Sequence, residues 1–539
     1  MRRSKRARGR GAGPADRRPR MGRHLAVSLI GASVLSSLFL GAVGSRVSSA
    51  TSRNPVVKPT AWDWPSFGQN AQHTFSARTT LTTASAATLQ QRWFFPTKTS
   101  VTVTPTVVDG TVYAGSWDQD FYAINLYTGK QEWKFHTFAQ PSITPYPGEV
   151  PRDVSSDGGM ITSSAWYQPG KGSRPDLVIF GGGYTLYALN AHTGRLYWYH
   201  RYTGRPTRPP NPKGDHARIF SSPVVFDTRV MIGVSVDGQP KERGYVVAAT
   251  LSNGKPLWTF QSDRKPNGSV PNDGCGNVWS SGSILPRQGW VVFGEADCNF
   301  ADPPPNADSV IALRVSNGSL VWRYRPYHTP KKRCDLDFGS SINIGLTKGT
   351  RATFLGASSK DGTYYSLNPT TGHLRWKTDV VFGGFDGGYI GTAAYNGSTV
   401  FGATALGTFG RTTTGVTLCD AATPRDTEYQ TPSISALSAK TGAIRWTGNN
   451  AYSFAATTYA GGVLFNSRAL GPNVTVRDAS TGAVLTTLNL SNWCWSGISV
   501  VGNAVLFGIG SGPQGSPAGI EVFTPAGQAP KVPGQRSQS

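Results

Sequence analysis

Little charge is spread through this chain: Asp, Glu, Lys and Arg make up only 15% of its 539 residues. Acidic residues are the scarcer sign, 30 against 53 Lys and Arg, for a net charge of +23. Much of that excess is local. Residues 1–50 hold eleven Lys/Arg and one Asp, a net of +10, which leaves +13 for the rest. That remainder has no dense basic run and no basic helix, so it reads as a solvated surface, and nucleic acid is not an expected partner. Cysteine is scarce as well. Five residues, an odd number, leave at least one thiol unpaired or paired between chains. No Cys-x-x-Cys-His occurs, so no c-type haem domain is fused. The eight His are scattered without zinc spacing, and neither a Gly-rich phosphate loop nor a Ser/His/Asp signature is present. Past residue 44 there is no long apolar run, so the body is expected to be soluble.

Glycine (64), proline (37) and tryptophan (15) are plentiful. That mixture suits many short strands and turns better than helices or disorder. The first 50 residues read as an export signal. A basic region from Arg2 to Arg23 precedes an apolar stretch from Leu25 to Gly44, and Ser48-Ser49-Ala50 supplies the small residues of a cleavage site. The same stretch, residues 25–44, is also long enough to serve as an uncleaved membrane anchor. No Cys follows it to carry a lipoprotein anchor. The body is therefore expected outside the cytoplasm, secreted or anchored.

A motif recurs along the chain: apolar-x-Ala/Ser-Leu, a short variable stretch, Gly, and Trp four residues after the Gly. Copies run from Tyr122 to Gly129 and Trp133, Tyr187 to Gly194 and Trp198, Ala248 to Gly254 and Trp258, Ala312 to Gly318 and Trp322, Tyr365 to Gly372 and Trp376, and Ala436 to Gly442 and Trp446. A seventh copy, Val476 to Gly482, has lost its Trp. Each copy reads as a hairpin whose Gly takes the positive φ of the turn. Two further short strands precede each, as in Pro105–Val108 and Val112–Gly115 around Asp109-Gly110. Four antiparallel strands per repeat make one propeller blade. Residues 89–95 are a lone outer strand, and residues 498–524 supply three strands without a fourth. Joining the two ends makes an eighth blade and removes the exposed edge. The expected fold is an all-β, eight-bladed propeller over 89–524, preceded by an extended segment (51–88) and followed by a disordered tail (525–539).

These repeats resemble those of the pyrroloquinoline quinone (PQQ) propeller proteins. Trp62-Asp63-Trp64-Pro65-Ser66-Phe67-Gly68 is similar to the Trp-x-x-(Tyr/Phe)-Gly segment that opens the dehydrogenases of that family. The resemblance spans roughly residues 62–524. It implies a quinone on the propeller axis, stacked on a Trp, with a calcium ion at a quinone oxygen, an Asp as base and an Arg or Lys on the quinone carbonyl. Gly276-Asn277-Val278-Trp279 matches the segment of the stacking Trp, and Lys360 in Lys360-Asp361-Gly362 matches the quinone-contacting cation. In Asp335-Leu336-Asp337-Phe338, Asp337 matches the base. The implied calcium ligands are Asp297, where the family has Asn, and either Asp237 or Glu242 in a segment longer than the family's. The family's adjacent Cys-Cys pair is missing, with Ser116-Trp117 in its blade.

Two functions follow. One is a PQQ- and calcium-dependent dehydrogenase that oxidises an alcohol or sugar hydroxyl and passes electrons to a separate acceptor. The other is a cofactor-free scaffold for envelope proteins or wall polymers, since the same propeller serves in outer-membrane assembly. A disulfide between Cys275 and Cys298 is also expected. Both lie at the open end of the hairpin formed by Trp279–Leu285 and Trp290–Asp297, although either could instead bond Cys334.

Overall fold

The recurring turn has a local cause. The Asn125 side-chain oxygen accepts the backbone N–H groups of Tyr127 and Thr128. Gly129, at φ +70°, then brings its own N–H back to the Asn125 carbonyl. Asn190, Asn368 and Asp478 cap their turns in the same way. Such a short acceptor two residues ahead of the bend is what an Asx turn requires.

A computed structural model describes residues 56–137, 160–202, 218–236, 243–264, 275–296, 304–326, 336–380, 388–405, 432–449, 451–512 and 516–535. These form eight antiparallel blades of four strands each, to one of which a short fifth strand is added. Blade 1 runs outward from Thr106–Val108 to Gln131–His136, blade 3 from Val224–Phe226 to Pro256–Phe260, and blade 4 from Ser283–Leu285 to Leu320–Tyr324. Blade 5 runs from Asn343–Thr347 to Leu374–Asp379, and blade 7 from Thr458–Ala460 to Val484–Asn489. Blade 8 takes three strands from the C-terminal region and its outermost, Leu89–Thr97, from the N-terminal region. Leu89–Thr97 pairs with Ala518–Pro525, and Trp93 stands opposite Val522.

Neighbouring blades are joined at both radii. Near the axis, small hydroxyl side chains accept backbone N–H groups from the blade before. Thr104 N donates to Ser164 Oγ (2.8 Å), Ser164 N to Ser222 Oγ (3.0 Å), and Ser222 N to Ser281 Oγ (2.8 Å). Ser281 N donates to Ser341 Oγ and Ser341 N to Thr392 Oγ1, both at 3.0 Å. At the rim, each repeat Trp lies over the turn Gly of the next blade. A β-carbon on Gly254 would come within 2.6 Å of Trp198 Cζ3. The indole N–H of Trp198 donates to Leu251 O (2.9 Å), and Trp93, Trp133, Trp258, Trp322, Trp376 and Trp446 make the equivalent bond.

Blade 7 lacks this dock. Thr486 holds the Trp position, and Val476 stands opposite it where the other copies have Ala or Ser. The N-terminal segment joins blades 7 and 8 instead. Ser76–Ala77 pairs in parallel with Tyr459–Ala460 of blade 7, and Thr79 Oγ1 and Thr80 N then both donate to Gly502 O of blade 8. Ahead of that point the segment circles one end of the channel. The carbonyls of Ala71, Gln72, Thr74 and Phe75 accept N–H groups from Ile284, Ile344, Tyr395 and Tyr459, at the inner edges of four successive blades. The segment thus satisfies inner-edge donors that would otherwise be left open.

The region after residue 525, expected to be disordered, is packed as far as residue 535. Val532 is buried, and the Gln535 amide donates to Asp63 Oδ1 (2.8 Å). A buried acceptor on the N-terminal segment holds a tail whose composition alone reads as loose.

Two outcomes follow. Trp198→Ala should lower unfolding free energy by about 3–5 kcal/mol, the range for a buried aromatic, whereas Thr486→Ala should change it by no more than ~0.5 kcal/mol; urea denaturation of both variants compares them. The second concerns His73, which is fully buried with Nδ1 2.8 Å from Ser283 Oγ, and whose pKa burial pushes down to about 3. Because the folded pKa lies below the unfolded value, its contribution is complete above about pH 6.5 and is lost as pH falls from there toward 3, at up to about 1.4 kcal/mol per pH unit. His73→Asn, which suits the positive φ of 49° at this position, should flatten the acid limb of a stability–pH curve. An unchanged limb would remove His73 from the acid response.

Candidate functional site

Eight innermost strands meeting at an axis leave room only for small side chains in the tier two residues ahead of each: Thr104, Ser164, Ser222, Ser281, Ser341, Thr392, Ala456 and Gly497. Two residues earlier again, in the segment that leads into each of these strands, side chains face the axis once more. They are Thr102, Thr162, Phe220, Trp279, Gly339, Ile390, Phe454 and Trp495, and with the small tier and Phe67 they line an axial cavity of about 170 Å³. The N-terminal segment bonds three residues beyond the small tier, so this larger tier lies toward the opposite end of the channel.

Trp279 fits in that tier because its neighbour in blade 5 is Gly339. A β-carbon there would sit 1.7 Å from Trp279 Cη2. The indole N–H donates to Asp337 Oδ2 at 3.1 Å. Lys360 comes from the turn between the second and third strands of blade 5, where Gly362, at φ +82°, reverses the chain. Its Nζ lies 3.3 Å from Asp337 Oδ2 and 5.6 Å from the Trp279 ring centroid. A main-chain bond from Lys360 N to Asp337 O (3.0 Å) fixes the two segments together. Asp337 and Lys360 are 4% and 9% exposed. A cation and a carboxylate therefore meet at the edge of the Trp279 indole, and of the three only Trp279 lines the axial cavity itself; a planar anionic molecule could stack on that ring, and a carboxylate oxygen beside it could accept a proton.

The structure thus brings Trp279, Asp337 and Lys360 together. Asp297, Asp237 and Glu242 lie outside the described residues, and so do Cys298 and Cys334. Cys275 is buried and disulfide-bonded, its partner also lying outside the described residues, while Cys494 is a free buried thiol. Among the described residues no three His, Cys, Asp or Glu side chains converge as a metal-binding group, and no helix is long and apolar enough to cross a membrane. Phe220, Phe454 and Trp495 were not singled out from the sequence. Their signal was the offset of two residues before each small inner-strand residue, the same offset that Trp279 has from Ser281. Phe454 and Trp495 meet edge to face at 5.4 Å on the far side of the axis from Trp279.

An eight-bladed propeller with an axial site of this kind defines the class. Residues 64–379 match the family model described as "Glucose/ethanol/alcohol dehydrogenase, beta-propeller domain", and the chain belongs to that family. Residues 306–491 also match a model of the outer membrane protein assembly factor BamB. Among curated relatives, the quinoprotein glucose dehydrogenase of Escherichia coli K12 is 22% identical over 61% of this chain and 45% of its own length. A polyvinylalcohol dehydrogenase from a Pseudomonas species is 22% identical over 61% of this chain and 53% of its own. The chain spans about half the length of the curated relatives it matches. The quinohemoprotein alcohol dehydrogenase of Comamonas testosteroni superposes with a TM-score of 0.67 at 18% identity, covering 88% of this chain and 82% of that one. BamB of Moraxella catarrhalis superposes at 0.51 and 13% identity, over 81% of this chain and 99% of its own.

Gly339→Ala tests the packing that holds Trp279. Overpacking should cost about 1–3 kcal/mol and drive the indole from Asp337, which near-UV circular dichroism and Trp fluorescence would register. A variant with wild-type spectra and stability would show that Gly339 is not what fixes the indole.

Proposed function

We propose that the chain is an exported quinoprotein-type dehydrogenase that oxidises an alcohol or sugar hydroxyl with calcium-bound PQQ. The observation that carries the reading is the convergence on Asp337 Oδ2 of the Lys360 ammonium and the indole N–H of Trp279, whose ring lines the axial cavity. The residues present fit the group: a flat indole for a flat ring, and a buried cation for an anionic or polarised oxygen. PQQ, when bound, supplies the two-electron oxidant. Trp279 and Lys360 would hold it, and Asp297 with Asp237 or Glu242 would hold the calcium. Asp337 takes the hydroxyl proton, and the Lys360 cation offsets the carboxylate's charge before that transfer. The packed walls of Phe220, Ile390, Phe454 and Trp495 limit water around the reacting hydroxyl. A separate acceptor then takes the electrons. Residues 1–50 act as the export signal or, uncleaved, as an anchor through 25–44. The Cys275–Cys298 bridge is part of the same proposal, and it would stiffen the start of blade 4 beside Trp279.

A second reading, a cofactor-free scaffold for envelope proteins, draws on the match of residues 306–491 to the BamB model and on the altered calcium ligands. The two readings differ in what they ask of Asp337. Purified protein supplied with PQQ and calcium should reduce an artificial dye in the presence of simple alcohols or sugars. Asp337→Asn should abolish that reduction while the protein remains folded. Full activity in Asp337→Asn would remove it as the base; no PQQ binding at all, by absorbance titration of the wild type, would favour the scaffold.

A further inference from the structure

Two carboxylates that the reaction does not use are buried where blades 3 and 4 meet. Asp263 follows the outermost strand of blade 3, and Glu295 follows the second strand of blade 4. Both have no solvent exposure. None of their four carboxylate oxygens has a hydrogen-bond partner. Arg243 Nη1 stands 3.6 Å from Asp263 Oδ2, an ion pair beyond hydrogen-bond length. The Ser262 hydroxyl, on a residue 1% exposed, is a third buried polar group here, set toward the Glu295 carboxyl without completing a well-formed hydrogen bond. Ser262 Oγ and Asp263 Cβ both border Gly276, where a β-carbon would lie 2.8 and 3.3 Å from them. Burial raises the Glu295 carboxyl well above its usual range; the nearby Ser262 hydroxyl moderates that shift and the Asp263 charge adds to it. The backbone pins this cluster in place: Phe338 N donates to Glu295 O (3.2 Å), Ala296 N to Asn277 O (3.0 Å), and the Asn306 amide to Ser262 O (2.9 Å).

Burying two carboxylates without well-formed hydrogen bonds costs several kcal/mol per group unless they take up a proton or a cation or donor enters between them. Arg243, and more weakly Arg264, act on Asp263, and no cation among the described residues is set against Glu295. We propose that Asp263, Glu295 and the Ser262 hydroxyl hold a hard cation, Ca²⁺ before Mg²⁺, as a site separate from the one around Asp337. Every donor is an oxygen, which excludes soft metals. Mg²⁺ keeps several waters in a strict octahedron, whereas Ca²⁺ accepts irregular oxygen sets at longer range and so suits a pocket without solvent. With only two acids converging, the remaining ligands are backbone carbonyls or enclosed waters. The ion's place in the molecule is a clamp. It ties the end of blade 3 to the segment that carries Asn277 and, through Glu295, to the backbone beside Asp337. This site does not depend on the dehydrogenase reading and can exist in a scaffold.

The full chain, stripped with EDTA and dialysed against CaCl2, tests it by metal analysis and thermal melting. The Asp263→Asn/Glu295→Gln double variant should lose one equivalent of bound calcium and the calcium-dependent rise in Tm, and MgCl2 should not replace calcium in the wild type. Any equivalent that Asp337→Asn removes should remain in the double variant, which separates the two sites. Unchanged calcium content and an unchanged calcium-dependent Tm in the double variant would overturn the proposal. So would a double variant that melts higher than wild type in EDTA while wild type binds no calcium, since the two acids would then be a protonated pair. Should the double variant not fold, anomalous scattering from wild-type crystals grown in CaCl2 decides: a peak between Asp263 and Glu295 is expected, and its absence refutes the site.

Discussion

Everything near the axis follows from the crowding of eight strands at one point. A propeller of this size brings its innermost strands close enough that each can reach its neighbour, but only through a side chain one or two atoms long. Serine and threonine meet that limit and also supply an acceptor. From Thr104 round to Thr392 the backbone N–H of one inner tier therefore finds the hydroxyl of the next. An Ala or Val in those places would leave buried N–H groups unpaired, at about 1–3 kcal/mol each. The same crowding decides what can happen two residues away. A large ring can project toward the axis only if the adjacent blade gives way, and Gly339 gives way to Trp279. The aromatic floor of the candidate site is thus a consequence of the packing rule, relaxed at one place.

The rim obeys a second rule with its own exception. Seven Trp side chains bridge seven junctions by stacking on a Gly and donating to a carbonyl, and the eighth junction has Thr486 instead. A closed ring tolerates one weak junction poorly, because opening there exposes sheet and packing surface on both sides. The N-terminal segment crosses that junction, bonding blade 7 through Ser76–Ala77 and blade 8 through Thr79 and Thr80. The same segment supplies Phe67 to the cavity and His73 to the buried end of the channel. Sealing the ring and closing one end of the channel are in this way one structural act.

The blade count, the strand-swapped closure and the trio around Asp337 were legible because each rests on local signals: Asn-to-Gly turns, Trp at a fixed offset, and short segments with family resemblance. The role of residues 56–80 was not legible. Most of its contacts are main-chain carbonyls that accept N–H groups from the inner edges of six blades, and no side-chain pattern announces a backbone acceptor. The inner Ser/Thr ring was visible in principle, in the doublets Ser163-Ser164, Ser221-Ser222, Ser280-Ser281 and Ser340-Ser341. Their meaning appears only once the blades are laid side by side. Asp263 and Glu295 were missed for a different reason. Each looks like an ordinary loop acid in sequence, and only burial distinguishes them.

In a repeat protein the other copies serve as an internal control for any one position. Four residues before the small inner-tier residue, the eight blades carry Ser100, Met160, Arg218, Asn277, Asp337, Gly388, Tyr452 and Trp493. A carboxylate occurs there once, in blade 5. The cation that meets it comes from the inter-strand turn of the same blade, where blade 1 has Trp117 and blade 4 has Ala296. The fold does not require either residue, since the other blades close without them. A buried ion pair adds little to stability compared with apolar packing of the same volume, so stability gives no account of its presence at the axis. Its position against the indole that Gly339 admits, a ring that itself lines the cavity, is the feature a ligand would explain and a bare scaffold would not.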